Sequence, residues 1–295
     1  METPEIHTWS GLTCVRLVNR NPEPTFEIEV NFYLLSDGEQ TLLIDSGWSV
    51  PTVPDLVQEA CRLYSLPLPQ QALITHKHVD HAGGLAHLSW LRQVFAHPLD
   101  LAEIRKFAPA GAALETMEEG REFRLSSHLL TVLFTPGHSR GHLCFYLPHL
   151  GILFSGDNVL GRGTTWIGPP DGDMGDYLNS LERMLSLSSK EMAPGHGPWV
   201  NDPGSRIREV AQRRQERERQ LLDLLTDARG KALTASHLTQ QIYGGAGSAT
   251  LTLAGTTVIS HLEKLIRDGK VEQTGEGYRL SAHGPAAMSN PPSSG

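Results

Sequence analysis

The chain has 295 residues, of which 39% are apolar and 20% charged, a composition ordinary for a globular protein with one large and one small domain. No apolar run reaches the roughly 18 residues of a membrane span and no secretory signal is evident, so neither membrane insertion nor export is expected. Residues 1–200 carry 13 Lys and Arg against 23 Asp and Glu, which argues against broad, non-specific binding of nucleic acid.

Short strands dominate the first 200 residues. Apolar and β-branched runs end in turn signals such as Ser36-Asp37-Gly38, and stretches with helical spacing of apolar residues are fewer. The predicted strands are residues 14–18, 26–35, 41–44, 72–74, 129–134, 143–147 and 152–154. The predicted helices are residues 51–66, 83–92 and 176–187. This order favours an α+β fold in which two sheets pack face to face with helices outside, a four-layer αβ/βα sandwich.

The composition changes near residue 202. Residues 205–227 predict a long helix rich in Arg and Glu, residues 234–243 and 250–268 predict two further helices, and residues 270–280 predict a hairpin. Three helices followed by a two-stranded wing are the order of a winged-helix domain.

We therefore predict a first domain over residues 1–202 and a second over residues 203–280. Residues 281–295 are rich in Ser, Pro, Gly and Ala and predict a disordered tail. The three widely spaced cysteines predict buried thiols in a reducing compartment, so the cytoplasm is the expected location.

Titratable side chains are concentrated directly after the predicted strand at 72–74, in the segment THKHVDH. His76 and His78 are two residues apart on a tight loop, so their imidazoles can converge on one cation of the zinc type. Asp80 and His81 lie on the same loop and suit a second cation nearby. Each cation needs three or more ligands, so this loop alone is insufficient.

Three further loops supply such ligands; two follow predicted strands, and the third follows the short apolar pair Met192-Ala193, which is interpreted as a strand end. They carry His138 in the segment PGHSRGH, Asp157 in SGD and His196 in PGHG. A lone histidine or aspartate in a turn is more often an ordinary surface residue. The combination of four loops instead predicts a metal site assembled where the strands end.

The motifs THKHVDH, PGHSRGH, SGD and PGHG resemble those of the metallo-beta-lactamase superfamily. The resemblance is closest to the branch that includes beta-lactamase-like protein 2, whose members pair this fold with a C-terminal winged helix. It implies one metal held by His76, His78 and His138, a second held by Asp80, His81 and His196, and Asp157 as a bridge between them. Asp45, in the segment LLIDSG, matches a superfamily aspartate that supports the histidine loop.

Such a pair of metals predicts a hydrolase. Two divalent cations would share a hydroxide as the nucleophile, which attacks a carbonyl or phosphorus centre. Asp80 is the expected catalytic carboxylate, because it would bind the second metal and could also accept a proton. Two Zn²⁺ ions are expected, although His and Asp ligands also accept manganese and iron.

The substrate is less well defined by the sequence. The segments GRGTT and DYLNSL resemble those of the beta-lactamase-like protein 2 branch, which implies that Arg162, Thr164, Thr165 and Tyr177 line a substrate cleft. A structural role is the alternative, with the two threonines turning the chain and the tyrosine packed inside.

Three functions therefore remain open. We favour hydrolysis of a small-molecule ester or thioester, as in glyoxalase II and the thioesterases that release polyketides, because the first domain is acidic. Cleavage of single-stranded RNA is the alternative within the same branch. A winged-helix sensor that binds nucleic acid is an alternative of another class, and the arginines of residues 206–219 could contact phosphates. Glutamates interleave with these arginines, however, which is more typical of a solvated, ion-paired helix face.

Overall fold

Two β-sheets form the core of the first 200 residues in the computed structural model, which describes residues 4–21, 28–245, 247–275 and 277–282. The seven strands of the first sheet lie in chain order: Glu5–Trp9 (β1), Leu12–Arg20 (β2), Glu29–Ser36 (β3), Thr41–Ile44 (β4), Gln71–Leu73 (β5), Gln93–Ala96 (β6) and Ala113–Thr116 (β7). Pairing is antiparallel from β1 to β4 and parallel from β4 to β7.

The second sheet has the strand order β12-β11-β10-β9-β8. Its strands are Glu122–Leu125 (β8), His128–Phe134 (β9), Leu143–Leu147 (β10), Ile152–Gly156 (β11) and Glu191–Pro194 (β12). All pairs are antiparallel except β11 with β12. A long crossover between these two strands contains a helix, as a parallel connection requires.

Alternation along the strands places one apolar set between the two sheets. Residues 12, 14, 33, 35, 42 and 44 of the first sheet join residues 130, 132, 143, 145, 152 and 154 of the second in one buried cluster. The intervening residues of the first sheet, such as Val15, Phe32 and Leu43, join a second cluster with its helices. Successive side chains of a strand point to opposite faces of the sheet, so a strand that is apolar on both faces must be covered on both sides. This explains why the first sheet lies between the second sheet and a layer of helices.

Helices cover the outer faces of both sheets. The first sheet carries Val53–Leu63 (α1), Val79–Ala82 (α2) and Leu101–Ile104 (α3), and the second is joined by Met174–Ser186 (α4). The hydroxyl of Ser180 in α4 donates to the carbonyl of Pro136 at 2.7 Å, just beyond β9. The predicted four-layer sandwich is therefore confirmed.

One predicted helix is wrong. Residues 83–92 form only a 3-10 turn, Gly83–His87, after the short helix α2, and β6 begins at Gln93. Gly84 packs so closely on the backbone that a Cβ atom would lie 2.0 Å from the carbonyl oxygen of Ser46. Gly84 therefore serves this contact, and the two adjacent glycines disfavour the helix predicted over residues 83–92.

As far as the structure describes it, the second unit contains most of one long helix, two further helices and a hairpin. These are Pro203–Asp227 (α5), Ala235–Tyr243 (α6), Ser248–Arg267 (α7), Val271–Thr274 (β13) and Gly277–Leu280 (β14). Leu221, Leu238, Val258 and Leu262 are among the residues of its own buried core. The predicted winged helix is confirmed.

A buried polar group links α5 and α7 within this unit. Glu218 accepts a hydrogen bond from Nζ of Lys264 at 3.1 Å, and its other oxygen lies 3.5 Å from Nδ1 of the fully buried His261. Burial raises the pKa of Glu218, but the neighbouring imidazole of His261 and the charge of Lys264 outweigh burial, and the pKa lies below its ordinary value of 4.5.

The chain divides into two compact units, residues 1–165 with 176–210 and residues 166–175 with 211–295. This division falls inside α5. The sequence suggested a domain boundary at residue 202, and that boundary stays a prediction. Of the predicted tail, only residues 281 and 282 are among those described. Across the described ranges, no helix combines the length and apolar character needed to cross a membrane.

Candidate metal centre

Seven side chains converge at the ends of strands from both sheets. Residues 76–81 follow β5 of the first sheet, and His138, Asp157 and His196 follow β9, β11 and β12 of the second. The seven form two groups, within each of which the candidate ligand atoms all lie within 4.8 Å of one another. The structure therefore brings all seven predicted residues together, six of them in the group predicted for each and Asp157, the predicted bridge, within the second group.

The first group consists of three imidazoles. Nε2 of His76 lies 2.9 Å from Nδ1 of His78 and 3.2 Å from Nε2 of His138, and the latter two atoms are 3.0 Å apart. In a tetrahedral zinc site with Zn–N distances of about 2.0–2.1 Å, ligand nitrogens are about 3.3 Å apart. The triangle of nitrogens thus fits one small divalent cation with little movement.

The second group combines two carboxylates with two imidazoles. Nε2 of His196 lies 3.2 Å from Oδ2 of Asp80, and Nε2 of His81 lies 3.2 Å from Oδ1 of Asp157. That last contact lacks the geometry of a hydrogen bond, which leaves both buried atoms available to a third partner. A divalent cation is the partner that this donor set favours.

Asp157 is positioned between the two groups. Its Oδ2 is 3.4 Å from Nε2 of His196 and 3.6 Å from Nε2 of His138, which belong to different groups. Only 11% of its side chain is exposed. A single carboxylate that reaches both sets of nitrogens is what a shared ligand requires.

The two groups differ in charge. Burial and the neighbouring imidazoles lower the pKa of His76 well below its usual value and that of His78 to about 4, so both rings are neutral. At His196, burial lowers the pKa, but the carboxylates of Asp157 and Asp80 raise it to about 10. The carboxylates thus hold positive charge at the second group, in the form of protons that a bound cation would displace.

Comparison with known proteins agrees with this geometry. A family model described as the metallo-beta-lactamase superfamily matches residues 26–196, more than half of the chain. The chain belongs to the metallo-beta-lactamase superfamily. A second model, the beta-lactamase associated winged helix domain, matches residues 234–279.

Curated members of the superfamily resemble the chain over most of its length. An atrochrysone carboxyl ACP thioesterase of Aspergillus fumigatus is 31% identical over 82% of this chain and 77% of its own. A beta-lactamase-like protein 2 homolog of Caenorhabditis elegans is 28% identical over 87% and 85%. Membership of this superfamily, together with the thioesterase relatives, makes the chain a hydrolase, and metal dependence fits the fold.

Solved structures of the superfamily share the fold. A metallo-beta-lactamase family protein of Thermus thermophilus superposes with a TM-score of 0.74 at 23% identity, covering 93% of this chain and 99% of its own. A beta-lactamase domain protein of Burkholderia ambifaria gives a TM-score of 0.78 at 18% identity, covering 93% and 92%. The metallo-beta-lactamase fold is thereby confirmed.

Asp45 orients the loop that carries most of the candidate ligands. Its Oδ2 lies 2.8 Å from Nδ1 of His81, and its Oδ1 accepts the backbone N–H of Thr75 at 2.8 Å. The hydroxyl of Thr75 bridges the same carboxylate, at 2.9 Å, to Nδ1 of His76, at 3.0 Å. Protons on these Nδ1 atoms leave both Nε2 atoms directed at the metal positions, the support that superfamily ligands need. Similarly, Nδ1 of His196 bonds the carbonyl of Glu29.

His142 is a supporting residue that the sequence analysis missed. It is fully buried, and its Nε2 accepts the backbone N–H of Asp157 at 3.1 Å, while its Nδ1 lies 3.0 Å from the hydroxyl of Thr135. Burial holds its pKa well below the usual value, so the ring is neutral and can accept this bond. Its place four residues after His138 in the motif PGHSRGH was the available signal.

The four predicted substrate residues fall into two pairs. Thr165 and Tyr177 are buried, and both hydroxyls donate to the backbone that follows β11: Thr165 to the carbonyl of Asp157, and Tyr177 to that of Asn158 at 2.7 Å. We therefore propose that this pair supports the Asp157 loop, in place of the predicted contact with substrate. Arg162 and Thr164 are exposed, and their contact with substrate stays a prediction.

Proposed function

We propose that the chain is a binuclear metal-dependent hydrolase of acyl thioesters or esters. The observation that carries the proposal is the convergence of seven donors in two groups, with the Asp157 carboxylate within 3.6 Å of nitrogens from both. Two zinc ions, or manganese or iron, would supply Lewis-acid polarisation of the scissile carbonyl and activation of water at neutral pH.

The residues of the chain would then have distinct tasks. His76, His78 and His138 would hold the first cation, Asp80, His81 and His196 would hold the second, and Asp157 would serve both. The first group consists of neutral imidazoles and the second contains two carboxylates, so the two cation positions differ in the charge of their ligands. Preorganised ligands of this kind stabilise charge that develops on the substrate oxygen without reorganising during the reaction.

Asp80 is the carboxylate we assign to proton transfer. Burial raises its pKa, but the positive charge of His81 and the hydrogen bond from His196 outweigh burial, and the pKa lies below its ordinary value. Asp80 is therefore ionised at neutral pH and can orient an attacking water. With 16% of its side chain exposed, it can also exchange a proton with solvent.

The names of the relatives and the environment of the arginines in α5 favour hydrolysis at a carbonyl carbon over cleavage of a phosphodiester. Several relatives carry the name atrochrysone carboxyl ACP thioesterase, which describes hydrolysis of an acyl thioester. Three of the six arginines of α5 are engaged within the chain: Arg206 pairs with Glu209, Arg214 is buried, and Arg217 stacks over Tyr243 at 4.2 Å. The other three, Arg208, Arg213 and Arg219, are exposed, so at most half of the guanidinium groups of α5 face a phosphate backbone.

The three cysteines are buried and unpaired, which supports a reducing compartment such as the cytoplasm. Exposed Arg162 and Thr164 are the side chains we assign to substrate contact. Single-stranded RNA remains the second substrate class to be tested. Membership of a superfamily of hydrolases argues against a sensor without catalysis.

One experiment with two arms tests the proposal. Metal-replete protein is offered a panel of acyl-CoA thioesters, glutathione thioesters and aryl esters in one arm and labelled single-stranded RNA in the other. Asp157→Ala is the blank, because removal of a shared ligand should lower metal content and abolish turnover. Asp55→Ala, which removes an exposed carboxylate from the first turn of α1, is the matched control and should behave as wild type.

Thioester or ester cleavage that is lost in Asp157→Ala and kept in Asp55→Ala supports the proposal. Cleavage of RNA alone would replace it with an endoribonuclease. Full activity of Asp157→Ala with two bound metals would overturn the ligand assignment itself.

A further inference from the structure

Asp100 is a buried carboxylate outside the two groups of candidate ligands. It occupies the N-cap position of α3, where an aspartate normally accepts hydrogen bonds from the first backbone N–H groups of the helix. Its side chain makes no such bond, and the residue is 0% exposed. A buried charge that does not cap its own helix must be compensated elsewhere.

The carboxylate instead contacts both loops of the three-histidine group. Oδ2 accepts the backbone N–H of Lys77 at 3.0 Å and the hydroxyl of Ser139 at 3.2 Å. Lys77 lies between His76 and His78, and Ser139 follows His138 directly. The ammonium group of Lys77, 3.9 Å from Oδ1, supplies the opposite charge.

Gly141 confirms how tightly the carboxylate is held. A Cβ atom at this position would lie 2.5 Å from Cγ of Asp100 and 2.6 Å from its Oδ1. The loop that carries His138 therefore closes directly over Asp100, and only glycine allows this approach. One carboxylate thus joins loops that follow β5 of the first sheet and β9 of the second.

We propose that Asp100 is a positioning residue that holds the three imidazoles of the first group in place by joining their loops across the two sheets. The inference rests on the proposed metal site. It assigns Asp100 to the three-histidine group alone, because these hydrogen bonds reach the loops of His76, His78 and His138. Asp45, in contrast, contacts His81 directly. Loss of Asp100 should therefore weaken one cation position and spare the other.

The test measures zinc affinity in two single-site backgrounds of the full chain. His196→Ala disables the second group and leaves the three-histidine group, whereas His138→Ala does the opposite. Asp100→Ala is added to each, and zinc affinity is measured by competition with a chelator. We expect a loss of about 10–100-fold in the His196→Ala background, as for other supporting residues of metal ligands, and less than about threefold in the His138→Ala background.

Conservative and control variants separate positioning from general destabilisation. Asp100→Asn keeps an oxygen for both donors and should lose less than about tenfold. Ser139→Ala deletes a single donor and should give a smaller loss of the same selectivity, which keeps the test available if Asp100→Ala does not fold. Ser36→Ala, which breaks a buried hydroxyl network at the end of β3, should leave zinc affinity unchanged.

Selective loss in the His196→Ala background with partial rescue by Asp100→Asn supports the inference. Equal losses in both backgrounds, or unchanged zinc affinity in Asp100→Ala and Ser139→Ala, would overturn it. If the wild-type chain itself binds no zinc, manganese or iron, the proposed function fails instead, and the two failures are distinguished by this first measurement.

Discussion

Asp45→Asn should uncouple the second cation position from the first. The amide keeps Oδ1, which accepts the backbone N–H of Thr75 at 2.8 Å and the hydroxyl of Thr75 at 3.0 Å, so the loop and His76 should stay in place. Its NH₂ group replaces the oxygen that lies 2.8 Å from Nδ1 of His81. Two donors cannot face each other there, so the ring must carry its proton on Nε2, the atom directed at the metal position. The backbone at this position has a φ of 58°, which asparagine tolerates.

The expected loss of zinc affinity follows from this replacement of one carboxylate oxygen by an NH₂ group. Loss of one buried hydrogen bond costs about 1–3 kcal/mol. A supporting residue of a metal ligand is worth about 10–100-fold in affinity, or about 1.4–2.7 kcal/mol, which agrees. We therefore expect zinc bound by the second group to weaken by about 10–100-fold while zinc bound by the three histidines is unchanged. Turnover should fall with the loss of the second metal.

Chelator competition followed by metal analysis measures both affinities, and thioester hydrolysis measures turnover in the same samples. Asp37→Asn is the matched control, since Asp37 also accepts backbone N–H groups, from Glu39 and Gln40, but lies in an exposed turn. Two zinc ions bound by Asp45→Asn with wild-type affinity would show that the tautomer of His81 does not govern the site.

Three further substitutions test the support around the site and the second unit. His142→Phe leaves the buried N–H of Asp157 without its acceptor, so urea denaturation of metal-free protein should show a loss of about 1–3 kcal/mol in the free energy of unfolding. Gly137→Ala should cost at least about 2 kcal/mol in the same assay, because φ is +133° and the new Cβ would lie 2.3 Å from Cα of Tyr177. Glu218→Gln should lower the free energy of unfolding of the second unit at pH 7. The difference from wild type should shrink as pH falls from about 4.5 through the lower pKa of folded Glu218. Wild type then becomes protonated at Glu218 and loses the same charge.

Each of these expectations can fail in its own way. Wild-type stability of the phenylalanine variant would mean that the N–H of Asp157 finds another acceptor. A Gly137→Ala protein as stable as wild type would show that the loop and helix α4 separate easily. A pH-independent deficit in Glu218→Gln would assign the effect to packing and not to the carboxylate charge.

Much of the site was predictable because its ligands lie on loops directly after strands. The apolar run before His76 marks a buried strand end, and side chains that follow buried strands of one domain tend to meet. Spacing of two between His76 and His78 further restricts them to a common centre. Strand ends and the spacing of residues are local properties, so they can be predicted from the sequence.

The supporting residues were harder to predict, because their role depends on which distant loop approaches. Asp100 precedes a four-residue helix and would be read as its cap, yet its bonds go to Lys77 and Ser139. Tyr177 lies in a motif that was expected to line a substrate cleft, yet it is fully buried. A hydrogen-bond partner is chosen by tertiary contact, which periodicity does not encode.

Short edge strands were missed for a related reason. β7, Ala113–Thr116, has four residues and is only partly buried, so it shows too little alternation to be distinguished from a loop. The helix predicted over residues 83–92 was an error in the opposite direction, because the sequence alone does not show that Gly84 packs against the backbone of Ser46.

The division of the ligands between two sheets has a consequence for biogenesis. The second group draws its donors from residues 80 to 196, so a nascent chain cannot assemble the second cation position until β12 has joined its sheet. A second metal could therefore be loaded only after the whole sandwich has folded. Once bound, the ions would act as a clasp between the two halves, adding stability that depends on the free metal concentration around the protein.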